Sequence, residues 1–329
     1  MPDSFTVSAS PHLRSRLDTG AVMRLVCVSL LPSVLASFYI FGAKALLVVV
    51  VSVLTCVLTE LLCNRVFRKE ITVTDFSAVV TGILFAFTLP PTIPLWMVSI
   101  GSFLAIFVVK QLFGGLGYNI FNPALAARAI LLASWPVALT TWVMPIKSVL
   151  AVDAVTAATP LGIIKEASGA GDATHSAYSY LDLFLGNVPG SLGETCKIAL
   201  LLGAILLFVF KIIDWRIPFT FIGTVTVLSI PMGRDPLAAV LSGGLILGAF
   251  FMATDLVTSP ITRGGKILFG VGCGVLTSLI RSYGGFPEGV CYSILFMNCL
   301  TPLIDKYVQP RVFGTKRAWF WLKREERHA

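Results

Sequence analysis

The stretch ALLVVVVSVLTCVL, from Ala45 to Leu58, is a nearly unbroken apolar run, and a second run, IALLLGAILLFVF, extends from Ile198 to Phe210. Hydrophobic residues make up 56% of the chain and charged residues 13%, and the mean hydropathy is +0.87. A soluble domain usually carries about 25% charged residues. These features predict an all-α integral membrane protein whose helices cross the bilayer.

The spacing of the apolar runs predicts about ten transmembrane helices of roughly 17–22 residues each. A weak internal repeat relates two halves of the chain, because SAVVTGILFAFTLP (Ser77–Pro90) resembles AAVLSGGLILGAFF (Ala238–Phe251). Asn122 in the first half stands near the place of Asn298 in the second. Five helices per half is an odd number, so the halves would form two inverted five-helix repeats. The ten spans are placed at 22–41, 43–63, 75–90, 93–113, 123–143, 196–213, 216–232, 236–256, 266–283 and 288–306.

Lysine and arginine set the expected orientation of these helices. Nineteen of the 25 basic residues, Arg128 among them, are assigned to the side that holds the N-terminus, which predicts that both termini are cytoplasmic. The aromatic and basic tail KRAWFWLKREER (Lys316–Arg327) favours contact with membrane lipid, and no nucleic-acid-binding motif is present. The expected segments are a cytoplasmic N-terminal segment (1–21), a first repeat (22–144), an extracytoplasmic loop (145–195), a second repeat (196–307) and a basic cytoplasmic tail (308–329).

Several classes of catalytic and metal site are not expected. The seven cysteines form no Cys-x-x-Cys pair and lie almost entirely in apolar runs, and the three histidines lie outside the predicted spans. No zinc or iron–sulfur ligand set is therefore expected. The sequence also contains no dinucleotide fingerprint and no catalytic dyad, so it predicts no catalytic residues and no complete enzyme.

A few ionisable side chains lie within or beside the predicted spans, where a charge is costly and often marks an ion pathway or a ligand contact. Arg128 stands about one turn past Asn122 and Pro123, deep enough to meet a carboxylate or a phosphate. We therefore take Arg128 and Asn122 as candidate cofactor contacts and Asp255 as a candidate for the ion pathway. The whole group is Glu60, Asp75, Lys110, Arg128 and Asp255.

The segment VDAVTAATPLGIIK (Val152–Lys165) allows two interpretations. The first is a helix start, with Thr159 as N-cap and Pro160 at the first helical position. The second is a modification site, because the segment matches Asp-x-x-(Ser/Thr)-(Gly/Ala)-Ala-Thr, at which flavin transferases attach FMN through its phosphate to the last threonine. The matching residues are Asp153, Thr156, Ala157, Ala158 and Thr159. A hydroxyl is a weak nucleophile without an adjacent base, so a separate transferase would be needed.

Several long segments resemble the signatures of the NqrB/RnfD family. This family contains the D subunits of the Rnf ion-pumping ferredoxin:NAD oxidoreductases and the B subunits of the sodium-pumping NADH:quinone reductases. The resemblance covers nearly the whole chain, and the modest length favours the Rnf branch. One departure is Ala157, where the family more often has glycine. The segments are Gly114–Trp142, Val152–Gly162, Phe251–Pro260 and Ile280–Asn298.

The resemblance implies a fold similar to that of urea transporters and an electron relay through FMN on Thr159, coupled to export of Na⁺ or H⁺. It also implies a second, non-covalent flavin such as riboflavin in the membrane core. The expected partners are Rnf subunits A, B, C, E and G, with G, A/E and C closest, together with the flavin transferase. Two alternatives stay open: a urea-transporter-like channel or permease without a redox role, and the B subunit of the quinone reductase.

Overall fold

The computed structural model describes residues 18–69, 72–145, 158–169, 178–285 and 288–309, and these ranges are predominantly helical. A 3₁₀ turn (Val73–Asp75) precedes α3, and π-helical segments continue α4 (Ala105–Gln111) and α12 (Gly248–Met252). The helices are α1 (Thr19–Phe41), α2 (Ala43–Val66), α3 (Ser77–Phe87), α4 (Leu95–Leu104), α5 (Pro123–Ser134), α6 (Pro136–Thr140), α7 (Pro160–Gly169), α8 (Tyr180–Leu185), α9 (Lys197–Val209), α10 (Arg216–Ser229), α11 (Pro236–Leu241), α12 (Leu245–Leu247), α13 (Arg263–Tyr283) and α14 (Val290–Tyr307).

Polar side chains mark where several of these helices begin. The carboxylate of Asp18 accepts a hydrogen bond from the backbone N–H of Thr19 at 2.8 Å, and the Thr262 hydroxyl accepts one from Gly265 at 3.0 Å. Asp235 caps α11 in the same way. A side-chain acceptor at this position satisfies a backbone donor that has no partner within the helix.

Two predicted spans are divided in the structure. The span expected at 123–143 breaks because α5 ends at Ser134 and Pro136, which has no backbone N–H to donate, begins α6. The span expected at 236–256 breaks between α11 and α12, where Gly243 has a φ of +66°. A hydropathy pattern does not detect a proline or a glycine that interrupts a helix. The prediction of one continuous helix at each of these two places is therefore wrong.

Glycines allow helices to approach closely. A Cβ atom added to Gly203 on α9 would lie 2.1 Å from the carbonyl oxygen of Ser29 on α1. On α13, a Cβ atom at Gly270 would lie 2.0 Å from the hydroxyl oxygen of Thr220 on α10. Small residues at such crossings bring helix backbones together, as helices in a bilayer require.

The outer surface is apolar, whereas polar and charged groups are buried inside. Leu35 on α1 and Leu62 on α2 are more than 60% exposed, whereas Glu60 and Lys110 are at most 2% exposed. Among the described helices, α1, α2 and α13 are each long and apolar enough to cross a membrane, and five further apolar helices have 10–17 residues. This distribution is what a hydrocarbon surrounding demands.

The same helix pairings recur in the two halves of the chain. In the first half α2 packs against α3 and α4, and α4 packs against α5. In the second half α10 packs against α11 and α13, and α13 packs against α14. Between the halves, α1 packs against α9 and α5 against α14. The boundary between the halves is therefore formed by α1 with α9 and by α5 with α14.

Candidate functional site

Thr159 immediately precedes α7 and caps it. Its hydroxyl oxygen accepts a hydrogen bond from the backbone N–H of Gly162 at 3.1 Å, and its side chain is 7% exposed. The ammonium of Lys165, one turn further along α7, donates to the carbonyl oxygens of Gly284 and Gly285. The expected helix start is confirmed, and α7 is fixed to the loop that follows α13.

Thr159 lines two adjoining cavities. The first, the Thr159 cavity, has a volume of about 730 Å³ with its open mouth included, and Arg128, Trp142 and Tyr292 are among its lining residues. The second, the Glu194 cavity, is smaller and is lined by the polar side chains of Glu194 and Ser242, among others. The threonine therefore lies between a cavity with aromatic walls and a polar one.

Arg128 meets a carboxylate in the Thr159 cavity. Its guanidinium donates to Glu288, in the loop before α14, and both side chains are largely buried. A buried arginine–carboxylate pair is stable only with good geometry, because both charges have left water. Since Arg128 and Thr159 line one cavity, Arg128 cannot belong to the opposite side of the membrane from Thr159. The expected placement of Arg128 on the N-terminal side and of Thr159 on the opposite side therefore cannot both hold.

Three further charged groups surround this pair. Glu194, Lys197 and Arg281 interact electrostatically with one another and with Glu288. We call Arg128, Glu194, Lys197, Arg281 and Glu288 the charge cluster. Arg281 donates to the carbonyl oxygens of Ala239 at 2.6 Å and Ser242 at 3.2 Å, and Lys197 donates to those of Glu194 and Gly243. With three cations and two carboxylates, the cluster carries a net charge of +1 when all five groups are ionised.

Several buried polar atoms around the cluster have no hydrogen-bond partner among the described residues. They include the hydroxyl oxygens of Thr195 and Ser242, which line the Glu194 cavity, and the Nε atom of Arg281. A buried polar group without a partner is costly, so such atoms usually meet a ligand or water. The surplus positive charge and the free donors together favour an anion at this place.

The other predicted site residues are distributed differently. Asp153, Thr156 and Ala157 lie outside the described residues, whereas Ala158 is exposed at the rim of the Thr159 cavity. Asn122 does not line the Thr159 cavity. It lines a separate cavity, the Lys110 cavity, together with Lys110 and Asp255, and this cavity has a volume of about 780 Å³ with its open mouth included.

Asn122 has a clear structural role in that position. Its side-chain oxygen caps α5 by accepting from the backbone N–H of Ala124 at 3.1 Å, and its amide donates to the carbonyl oxygen of Met252 at 3.3 Å. The amide oxygen of Asn298, in the orientation that satisfies its hydrogen bonds, accepts from the backbone N–H of Asn122 at 3.1 Å. Asn122 and Asn298, which the expected repeat would relate, are therefore in contact.

Four members of the charge cluster are not singled out by the sequence. Lys197 and Arg281 count there only as basic residues of one side. Glu194 stands just before the span predicted at 196–213, and Glu288 is the first residue of the span predicted at 288–306. The sequence does contain a signal for these four residues, because a charge at the edge of an apolar run costs free energy unless it is paired. Among the described residues, no group of three histidine, cysteine or acidic side chains forms a candidate metal site.

Comparison with known proteins gives consistent matches along the chain. The sequence model described as the NQR2, RnfD, RnfE family matches residues 6–314. The D subunit of the proton-translocating ferredoxin:NAD(+) oxidoreductase complex of Clostridium ljungdahlii is 49% identical over 328 residues, which cover 95% of this chain and 97% of that protein. The Na(+)-translocating counterpart of Acetobacterium woodii is 47% identical over 317 residues, with 95% and 96% coverage. The D subunit of the ion-translocating oxidoreductase complex of Stutzerimonas stutzeri is 39% identical, with 92% and 93% coverage.

Proposed function

Because this chain belongs to the NQR2, RnfD, RnfE family, we propose that it is the D subunit of an Rnf-type ion-translocating ferredoxin:NAD oxidoreductase complex. It relays electrons through FMN attached to Thr159 and couples their transfer to export of Na⁺ or H⁺. The names and near-complete coverage of its relatives support the complex. The observation that carries the flavin assignment is the net positive cluster around Thr159.

The residues around Thr159 fit a phosphodiester. Arg128, Lys197 and Arg281 outnumber the two carboxylates by one positive charge, and a phosphodiester carries one negative charge. The unpartnered hydroxyl groups of Thr195 and Ser242 are donors that phosphate oxygens accept well. Lys197, Thr195 and Ser242 on the Glu194 cavity and Arg128 on the Thr159 cavity would therefore hold the phosphate. Arg281 would add positive charge without contact, and the bound flavin would supply the capacity to accept and release electrons.

Capping and attachment are compatible at Thr159. The cap uses a lone pair of the hydroxyl oxygen, because the backbone N–H of Gly162 is the donor. An ester oxygen keeps lone pairs, so α7 can retain its cap after modification. Activation of the hydroxyl falls to a separate transferase, for which Asp153, Thr156, Ala157 and Ala158 would be recognition elements.

The two larger cavities suit the two flavins. Trp142 and Tyr292 provide flat apolar surface in the Thr159 cavity, where the ring system of the attached flavin would lie. The Lys110 cavity combines apolar walls with the amides of Asn119 and Asn122 and is the place we propose for a non-covalent riboflavin. A pocket with apolar walls and a few polar groups is typical of cofactor sites.

The proposed topology is ten transmembrane helices in two inverted repeats, with a fold similar to that of urea transporters. The recurring pairings of the second to fifth helices in each half support it, as does the contact between Asn122 and Asn298. Both termini would be cytoplasmic, and the segment that carries Thr159 would be extracytoplasmic in the cell membrane. The partners would be Rnf subunits A, B, C, E and G, with G, A/E and C closest.

Intact-protein mass tests the assignment. The chain purified from membranes of a host that contains the flavin transferase is compared with Thr159→Ala and with Thr140→Ala as the control, because Thr140 lines the same cavity and its hydroxyl donates to the carbonyl oxygen of Pro136. We expect the wild type and Thr140→Ala to be heavier than the unmodified chain by one FMN less water, and Thr159→Ala to lack that mass.

Absence of the added mass from the wild type would remove the flavin relay and favour a permease of the urea-transporter type. Co-purified proteins would separate the Rnf complex from the quinone reductase. The 92–95% coverage by relatives whose names place them in the D position already favours the Rnf complex.

A further inference from the structure

A third cavity, which we call the Arg281 cavity, lies between α7, the end of α10, the start of α11 and the last turns of α13. It has a volume of about 510 Å³ with its open mouth included, and its walls are mostly apolar, as at Leu161 and Val225. Leu161 also lines the Glu194 cavity, so its side chain lies between the two. The proposed function gives the Arg281 cavity no role.

Two buried polar groups on this cavity have no partner among the described residues. They are the hydroxyl of Ser278 and the Nε atom of Arg281, and the two residues are 5% and 3% exposed. The other guanidinium nitrogens of Arg281 donate to the carbonyl oxygens of Ala239 and Ser242, which leaves its Nε–H as a donor without an acceptor. A buried donor without an acceptor is costly, so we expect the cavity to hold a ligand that supplies one.

Arg234 adds a partly buried cation to the same cavity. Its guanidinium donates to the carbonyl oxygen of Arg281 at 3.1 Å, and within the described part of the chain it forms no ion pair. The carboxylate of Asp235, also on the cavity, accepts instead from the hydroxyl of Tyr180 and from the backbone N–H of Leu237. Arg234 can therefore take an anionic partner from outside the chain.

The depth of these groups matches the polar edge of a bilayer. α13 is long and apolar enough to cross a membrane, and Arg281 lies in its last turn. Ser278 lies three residues earlier, about 4.5 Å further towards the apolar middle of the span. A phospholipid presents its acceptors in this order, because its ester carbonyls lie between the phosphate and the acyl chains. Basic pockets between membrane helices are typical places for anionic lipid headgroups.

We propose that the Arg281 cavity binds one anionic phospholipid from the leaflet on that side of the membrane. Its phosphate oxygens accept from Arg234 and from the Nε–H of Arg281, and an ester carbonyl accepts from the hydroxyl of Ser278. Part of an acyl chain lies along Leu161 and Val225. An anionic headgroup is favoured over a zwitterionic one, because an ammonium group would lie beside the Arg234 guanidinium. Such a site requires neither a flavin nor a transported ion, so it is independent of the proposed function.

The test uses the full chain, purified in detergent and washed free of loosely bound lipid. Native mass spectrometry and the thermal unfolding midpoint are recorded with phosphatidylglycerol, with phosphatidylcholine of the same acyl chains and with inorganic phosphate. We expect one tightly bound phosphatidylglycerol and a rise of the unfolding midpoint in the wild type. Neither phosphatidylcholine nor inorganic phosphate should reproduce that rise.

Two variants assign the effect to this cavity. Arg234→Gln should weaken phosphatidylglycerol binding by about fivefold, which is the usual contribution of one basic residue near an anionic lipid. Ser278→Ala should weaken it by about tenfold, because a buried ester carbonyl would lose its donor. Without lipid, Ser278→Ala should unfold no earlier than the wild type, since the hydroxyl that it removes has no partner among the described residues. A loss of binding in this variant is therefore not a loss of the fold.

Arg263→Gln and Ser99→Ala are the matched controls and should bind phosphatidylglycerol as the wild type does. Arg263 is exposed at the other end of α13, and the Ser99 hydroxyl already donates to the carbonyl oxygen of Leu95. Retention of a native anionic phospholipid by the washed wild type, but not by Arg234→Gln or Ser278→Ala, would also support the site.

Three results would overturn the proposal. Equal shifts of the midpoint with phosphatidylglycerol and phosphatidylcholine would show that the headgroup is not recognised. A shift with inorganic phosphate as large as that with phosphatidylglycerol would replace the lipid by a free anion. Absence of phosphatidylglycerol binding, or unchanged binding in Ser278→Ala, would leave buried water as the partner of Ser278 and Arg281.

Discussion

At the scale of single residues, Arg128 controls the charge balance beside Thr159. Among the described residues, it is the one cation of the charge cluster that makes a direct side-chain ion pair, and its partner Glu288 comes from the other half of the chain. Lys197 and Arg281 instead donate to backbone carbonyl oxygens, which carry no full charge. Removal of Arg128 therefore leaves the Glu288 carboxylate without its ion-pair partner. Removal of Lys197 or Arg281 leaves only uncharged backbone carbonyl groups without a donor.

Arg128→Met should lower the free energy of unfolding by about 3–5 kcal/mol, because Glu288 is left buried without its partner. The double variant Arg128→Met/Glu288→Gln should recover most of that loss, since the amide carries no charge. Thermal unfolding in detergent provides the comparison. A double variant as unstable as Arg128→Met alone would show that the arginine acts through packing rather than through its charge.

The residues of this site are partly predictable. A local motif identifies Thr159. Arg128 is identified by its position about one turn inside a predicted membrane span. Glu288 cannot be paired with Arg128 from the sequence, because 160 positions separate them and only tertiary packing joins them. Proximity in sequence suggests that Asn122 belongs with the proposed flavin site at Thr159, yet its position before α5 places it on the Lys110 cavity.

At the scale of helices, breaks and close crossings decide how the bundle is built. Hydropathy predicts that apolar helices exist but not where they break, since Gly243 and Pro136 act through backbone geometry. The break at Gly243 also has a packing role. A Cβ atom there would lie 2.5 Å from Leu161 of α7, so this glycine lets the helix after Thr159 settle against the α11–α12 junction.

Gly203→Ala should destabilise the chain by about 1–3 kcal/mol, the usual range for overpacking a tight contact. The added methyl would meet the Ser29 carbonyl, and backbone on α1 can move away only by separating the helices. Gly223→Ala on α10 is the control, because nothing lies within 4 Å of its added Cβ. It should be neutral or raise stability by up to about 1 kcal/mol through helix propensity. Equal unfolding midpoints for the two variants would contradict the close crossing.

At the scale of the whole molecule, the residues around Thr159 lie together at one end of the helix bundle. The hydroxyl of Ser37, near the end of α1, donates to the carbonyl oxygen of Leu192, two residues before Glu194. Lys44, just beyond the α1–α2 junction, is exposed near the same end, whereas Arg263 is exposed at the start of α13. Charge asymmetry predicts that these two residues face opposite sides of the membrane.

Lys44→Cys should react with a membrane-impermeant maleimide added to intact cells, whereas Arg263→Cys should react only after the cells are permeabilised. Both positions are exposed, so a difference in labelling reports the side of the membrane rather than burial. The wild type provides the background from native cysteines. The reverse pattern would put Thr159 in the cytoplasm and contradict the proposed orientation.

The position of Thr159 in the chain matters for the synthesis of the protein, because this buried residue is made before several of its neighbours. Lys197, Arg281 and Glu288 all follow Thr159, so the ribosome releases the threonine before it has made these neighbours. A nascent chain that ends before α9 lacks Lys197, Ser242 and Glu288, which line the cavities beside Thr159, whereas the finished fold leaves Thr159 7% exposed. If Thr159 is modified as proposed, the transferase has freer access before the second half docks than after it. The proposed modification and folding would then compete in time.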